Sequence, residues 1–105
     1  MAKKSEIRWS SSADRDLGHA YEYLKARNPL VAMKLMGALA RALERLEEFP
    51  EIGAAATQLQ PEGEYRQVVL GHHLLIYRVM DDVIWILRFW DSRRDPESLI
   101  VRNEE

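Results

Sequence analysis

YRQVVL-GH-HLLIYRVM-DD-VIWILRFW, residues Tyr65 to Trp90, is the stretch that decides the fold. Its three apolar runs, Tyr65 to Leu70, His73 to Met80 and Val83 to Trp90, are rich in β-branched and aromatic residues. Gly71-His72 and Asp81-Asp82 separate them. Such pairs tolerate the positive φ that tight hairpins demand. The pattern predicts three consecutive antiparallel strands. Two-residue turns set the register: Arg66 falls opposite Tyr77, and Tyr77 opposite Ile86. Simple alternation from there puts Arg66, Tyr77, Arg88 and Trp90 on one sheet face.

Upstream the period changes. Ile7-Arg8-Trp9-Ser10 alternates as an edge strand does. Ser11 and Ser12, with Asp14 three residues after Ser11, supply a capping hydroxyl and an acid for a helix start. Ala13, Leu17, Ala20, Tyr21 and Leu24 then recur at helical spacing. Asn28-Pro29 ends that helix and starts another, Asn as N-cap and Pro where a missing N–H does no harm. Ala32, Leu35, Met36, Leu39, Ala42, Leu43, Leu46 and Phe49 form the second apolar stripe, and Pro50 and Gly53 stop it. Helices are expected near 12–27 and 29–48, packed as an antiparallel hairpin. Glu51 to Glu64 reads as a loop. The expected fold class is α+β, in the order β-α-α-β-β-β, with the helical hairpin packed on one face of an antiparallel sheet. At 105 residues the chain is read as a single domain, 1–105.

Composition narrows the function. There is no cysteine, which excludes disulfides and thiolate chemistry. Net charge is -2. Proteins that bind nucleic acid through phosphates carry a basic surplus, because counterion release supplies most of the affinity. None exists here, so no strong direct nucleic-acid binding is expected. No apolar run approaches the roughly 20 residues needed to span a bilayer. Met1 to Glu6 lacks the apolar core of a secretory signal, and a cytoplasmic location is expected. His72 and His73 share a turn, but His19 is remote in sequence, so neither a metal site nor a cofactor is expected.

The order of these elements, with particular residues in particular places, resembles the RelE/ParE toxin superfamily. Ile7-Arg8-Trp9-Ser10 with Ala13 and Asp16-Leu17 is similar to its first strand and helix start. Asn28-Pro29 with Ala32 is similar to its inter-helix break, and Leu46 to Gly53 to its L-x-x-x-P-x-x-G helix exit. Tyr65-Arg66, Ile76 to Val79, Asp81-Asp82, Ile84 to Arg88 and Arg93-Arg94-Asp95-Pro96 are similar to its strand block and close. The resemblance covers nearly the whole chain and stands nearer the ParE branch. It implies a first strand lying beside the last. It also implies the toxin of a type II toxin–antitoxin system, inhibiting DNA gyrase by binding and neutralised by a cognate ParD-like antitoxin. Two alternatives stay open: a ribosome-dependent mRNA endonuclease of the RelE kind, and a degenerate module that only binds an antitoxin. Many relatives carry His-Gly before the arginines, where this chain has Asp91-Ser92. A carboxylate there is ionised and repels phosphate, unlike an imidazolium.

Candidate target-binding residues are Arg66, Tyr77, Arg88, Arg93 and Arg94, because guanidinium forks suit anionic partners. No catalytic residue is singled out. The plainer reading of Tyr77 is a core aromatic, and of Arg66 and Arg88 structural ion-pair donors. Candidate antitoxin contacts are Leu17, Tyr21, Leu24, Met33, Met36 and Leu39, about half of which must face the core instead. They would receive an amphipathic helix, with an extended stretch near a sheet edge. Trp9, Trp85 and Trp90 are more large aromatics than a small core hides, so at least one is a candidate interface anchor.

Overall fold

A computed structural model describes residues 4–59 and 64–102. The part of the expected loop at 60–63, and the ends of the chain, lie outside the described residues. The elements are β1 (Glu6–Trp9), α1 (Ser11–Arg27), α2 (Pro29–Glu48), β2 (Ala54–Ala55), β3 (Arg66–Leu70), β4 (His73–Met80) and β5 (Val83–Asp91), with a short 3₁₀ turn at Pro96–Ser98. They form a five-stranded sheet in the order β1-β5-β4-β3-β2, with the two helices packed on it.

Helix boundaries follow the capping chemistry. Ser10, one residue earlier than expected, caps α1: its Oγ accepts from the Ala13 N–H at 3.0 Å and donates to the Leu87 carbonyl at 3.0 Å. This buried hydroxyl therefore fixes the helix start against β5. Asn28 caps α2 through its side chain, with Pro29 at the first helical position, while its own N–H closes α1 on the Leu24 carbonyl. One residue thus ends one helix and starts the next, which forces the tight hairpin.

The expected sheet was antiparallel; the observed sheet is mixed. β1 does lie beside β5, but the two run parallel, with Ile7 opposite Ile84 and Trp9 opposite Ile86. The reason is at Ser10. The chain does not reverse there: Ser10 bonds Ile86 and Leu87, Asp16 bonds Phe89, and Tyr23 and Leu24 lie beside Asp91 and Arg93. α1 therefore advances along β5 in the direction β1 had already taken. α2 returns the chain to the start of β1, where Ser5 donates to the Glu47 carbonyl. The reversals that remain, at α1–α2, α2–β3, β3–β4 and β4–β5, are even in number, so β5 ends parallel to β1. β2 is an addition, two residues of the expected loop pairing with Arg66 and Gln67.

The β3–β4 and β4–β5 registers match expectation at Arg66–Tyr77 and Tyr77–Ile86. Asp81 and Asp82 both take positive φ in the second turn, at 52° and 63°. Beyond Tyr77 the alternation fails. Ile76 pairs with Arg88, so Leu87 is an extra residue in β5, a β-bulge. Ile84, Ile86 and Phe89 face the helices with Leu39, Leu46, Leu75 and Tyr77, while Leu87 joins a second cluster with Ala56 and Tyr65. Arg66 and Tyr77 therefore lie on the helix face, and Arg88 and Trp90 on the other, contrary to the expected shared face. That far face is covered by chain rather than helix: Leu59, Trp85 and Val101 pack on the second cluster, and Leu99 lies beside Trp90 and Leu74. This second layer covers Trp85 and Trp90, while Trp9 packs on the helix side of the sheet. Trp90 is 3% exposed, and Trp9 and Trp85 pack against the two clusters. No helix among the described residues is long and apolar enough to cross a membrane.

Candidate functional site

On α1, Asp16, His19, Ala20, Tyr23 and Leu24 fall at helical spacing and so share one face. The bulge in β5 turns Phe89 toward that face, and the strand's last residue, Asp91, with Arg93 and Arg94 just beyond it, forms the opposite wall. His73, at the start of β4, completes a groove of about 280 Å³. Its base is flat: the His73 and Phe89 rings stack at 4.6 Å, 6° from parallel. Burial pushes the imidazole below its ordinary pKa, opposed by the Asp91 carboxylate. His73 is therefore neutral near pH 7, a packing residue rather than a cation.

The rim is charged. Arg93 grips Asp91 with two parallel hydrogen bonds, Nε to Oδ1 at 3.0 Å and Nη2 to Oδ2 at 2.8 Å, and its N–H adds a third at 2.9 Å. These bonds, Arg93's side chain foremost, pull the Asp91 pKa down from 3.8 to about 2. Arg94 is placed differently. Its guanidinium lies 4.3 Å from the centre of the Trp90 ring, and among the described residues no carboxylate forms an ion pair with it. Arg88 lies over the same ring at 5.1 Å. Arg93 thus offers a fork already occupied by an internal carboxylate, and Arg94 one without an ion-pair partner among the described residues, held over an aromatic ring.

The other candidates are placed elsewhere. The Tyr77 hydroxyl is buried and accepts from the Gly53 N–H at 2.9 Å, while Arg66 donates to the carbonyls of Glu51 at 3.1 Å and Gly53 at 3.0 Å. Both anchor the loop after α2. Tyr77 lies four residues along β4 from His73, about 13 Å at strand rise. Arg88 reaches around the open edge of β5 beyond Trp9. It makes a bidentate pair with Asp16, Nε–Oδ2 at 2.7 Å and Nη2–Oδ1 at 3.0 Å, and donates to the Ile100 carbonyl at 2.8 Å. Asp16 also accepts from the Phe89 N–H at 3.1 Å. Arg88 thus ties α1, β5 and the C-terminal segment together. Its partner Asp16 was quoted above as a motif residue but not as part of a site; the sequence distance of 72 residues hid the pair.

Among the helix residues, Leu39 belongs to the core at 5% exposure, and Leu17 packs against it. Tyr21, Leu24 and Met36 are partly buried, and Met33 is 69% exposed. Reading the apolar stripe alone missed Tyr23, Leu30 and Val31, which are exposed near the hairpin tip. The available signal was that Leu30, Val31 and Met33 fall off the stripe defined by Ala32, Leu35, Leu39, Ala42 and Leu46. Among the described residues no group of three His, Asp or Glu side chains is placed to hold a metal ion.

A family model described as the ParE toxin of the type II toxin–antitoxin system parDE matches residues 7–96. The chain belongs to the ParE toxin family. The matched span of this ParE-family chain runs from β1 through the Arg93-Arg94 rim. A solved chain described as the chromosomal ParDE TA system from P. aeruginosa is similar in structure, with a TM-score of 0.68. The two share 20% identity, over 88% of this chain and 100% of that one. At that identity the likeness supports the ParE fold and not the details of the site. A comparison with curated proteins found no match.

Proposed function

We propose that this chain is the toxin of a type II toxin–antitoxin pair, that it inhibits DNA gyrase by binding, and that a cognate ParD-like antitoxin holds it inactive. The observation that carries the proposal is the ParE family match over residues 7–96, which ends just past the arginine rim of the α1–β5 groove. Arg93 and Arg94, both exposed, are its target contacts. Arg66, Tyr77 and Arg88 support the fold that presents them. Three features favour binding over RNA cleavage. The net charge is negative, so phosphate attraction is weak. His73 is buried and stacked, and so poorly placed to exchange protons with a substrate. The Tyr77 hydroxyl is enclosed and already bonded to the backbone. Gyrase as target places the toxin in the cytoplasm.

Induced expression without an antitoxin, together with a supercoiling assay on purified gyrase, tests this. Filamentation with an SOS response and loss of supercoiling is the expected result. Rapid translation arrest with cleaved mRNA would replace this reading with the ribosome-dependent endonuclease. Normal growth would leave only the antitoxin-binding module.

A further inference from the structure

Arg88 fixes more than the start of α1. Its Nη1 group holds the Ile100 carbonyl at 2.8 Å, and so anchors the tail that carries Arg102 two residues on. On α1, Ser11, Ser12, Arg15 and Asp16 follow at spacings i, i+1, i+4 and i+5, and so share one helix face. This face, β5 and the tail meet around a cavity of about 330 Å³. Arg15, Arg88 and Arg102 all line it, against a single carboxylate, that of Asp16.

That carboxylate is already committed. Both its oxygens accept from Arg88, at 2.7 and 3.0 Å. Arg88 uses three of the five N–H donors of a guanidinium on Asp16 and Ile100, which leaves two. Arg15 and Arg102 are exposed, and among the described residues neither forms an ion pair. The Ser11 and Ser12 hydroxyls make no hydrogen bond among those residues either. Three arginines less one aspartate give the cavity a local charge of +2, in a chain whose net charge is -2. Such a donor set suits a tetrahedral anion. A terminal phosphate carries about -1.5 to -2 charge near pH 7 and presents three acceptor oxygens. Forks arriving from α1, β5 and the tail can each take a different oxygen, which a flat carboxylate with two oxygens does not allow. A nucleic-acid strand fits less well. Among the lining residues Ile100 is the one apolar side chain and none is aromatic, so a base finds no stacking platform. The negative net charge disfavours a long polyanion as well.

We propose that the cavity between α1, β5 and the tail binds the terminal phosphate group of a small ligand, held by Arg15, Arg102 and the two remaining donors of Arg88, with the Ser11 and Ser12 hydroxyls completing its shell. The ligand bridges the same three elements that Arg88 ties together, so its binding stabilises the docked tail and the fold with it. Asp16 lines both this cavity and the α1–β5 groove. The site does not depend on which molecule the toxin attacks.

Calorimetry and thermal unfolding of the full-length protein test this. The probes are inorganic phosphate, pyrophosphate and adenosine monophosphate, with adenosine as control and chloride holding the ionic strength constant. We expect the phosphate-bearing probes to bind saturably at one site and to raise the melting temperature, and adenosine to do neither. Equal affinity for phosphate and adenosine monophosphate assigns the site to the free anion. Tighter binding of the nucleotide or of pyrophosphate assigns it to a phosphate carried on a larger molecule. Arg15→Ala/Arg102→Ala should weaken binding roughly ten-fold or more, with native circular dichroism. Arg41→Ala/Arg45→Ala, which removes the same charge from α2, should bind as wild type. Hydrogen exchange at residues 100–102 should slow when phosphate is bound. No saturable binding of any phosphate probe overturns the proposal. So does an equal loss in the two double variants, which indicates nonspecific attraction, and so does binding of adenosine alone. A DNA duplex without terminal phosphates that binds through Arg15 and Arg102 also overturns it, since the cavity then serves nucleic acid. Should Arg15→Ala/Arg102→Ala not fold, amide shifts on titrating phosphate into the wild-type protein decide instead. Changes confined to residues 11–16, 88 and 100–102 uphold the site, and changes centred elsewhere refute it.

Discussion

Replacing Asp16 by Ala tests whether Arg88 serves the fold or the target. Asp16 and Arg88 side chains are each only 15% exposed. Asp16 accepts three hydrogen bonds, two from Arg88 and one from the Phe89 N–H. Asp16→Ala leaves a mostly buried guanidinium with only the Ile100 carbonyl, and the Phe89 N–H without its acceptor. Breaking a buried pair by removing one partner costs about 3–5 kcal/mol. The residual exposure admits some water, so about 3 kcal/mol is expected, or a fall in melting temperature of about 10–20 °C for a domain of this size. Arg88→Met leaves Asp16 with one donor and releases the Ile100 carbonyl, for about 2–3 kcal/mol. The double variant strands neither charge. It should cost about as much as Asp16→Ala alone, giving a coupling of about 2–3 kcal/mol, within the range for contacting residues. Urea unfolding followed by tryptophan fluorescence and circular dichroism measures all three. Additive losses, or a cost below about 1 kcal/mol for Asp16→Ala, would refute the structural role. Toxicity per folded molecule should survive Arg88→Met.

The Arg93→Ala/Arg94→Ala double variant should lose toxicity with its urea midpoint essentially unchanged, since both side chains are surface-exposed; growth inhibition alongside circular dichroism checks both halves. Gly53→Ala should destabilise by about 1–3 kcal/mol, the range for overpacking, because its Cβ would meet the Tyr77 hydroxyl at 2.6 Å and the Gln67 carbonyl at 2.9 Å. Tyr77→Phe should cost about 1–3 kcal/mol by leaving the Gly53 N–H without an acceptor; urea midpoints measure both. The pKa of His73 is lowered in the folded state, so the folded protein binds fewer protons than the unfolded chain just below pH 6.5. Its contribution is full above pH 6.5 and is lost as the pH falls toward the folded value. His73→Phe, which keeps a ring on Phe89, should therefore flatten the decline of urea stability between pH 7.5 and 5.5, and an unchanged slope would contradict the assignment.

The parts of the fold that local chemistry dictates were legible in the sequence. Helix limits are set by hydroxyl and amide caps within a few residues of the ends, so Asn28-Pro29 announced its break and Ser10–Ser12 its start to within one residue. Hairpin register is set by turn length, so Arg66 and Tyr77 were paired correctly from Gly71-His72. The family, too, was carried by short motifs in order. The candidate site was legible only in part. Arg93 and Arg94 stand together in sequence and again in space. The partners that give the other arginines their roles, Asp16 for Arg88 and the Glu51–Gly53 backbone for Arg66, come from distant segments.

What tertiary structure alone decided are the features that depend on contacts between remote elements. The direction of β1 relative to β5 depended on whether the chain reversed at Ser10. That is fixed by a serine hydroxyl meeting the Leu87 carbonyl, 77 residues away. The face taken by Arg88 and Trp90 depended on one extra residue, Leu87, in β5. An alternating sequence carries no mark of that bulge, because both faces of the strand are apolar and either register reads equally well. The cover over Trp85 and Trp90 depended on loop and C-terminal segments folding over the far face. Sequence determines what local sterics and hydrogen bonding can settle within a turn or two of chain. Parity, bulge and cover are settled only when packing brings the distant partners together.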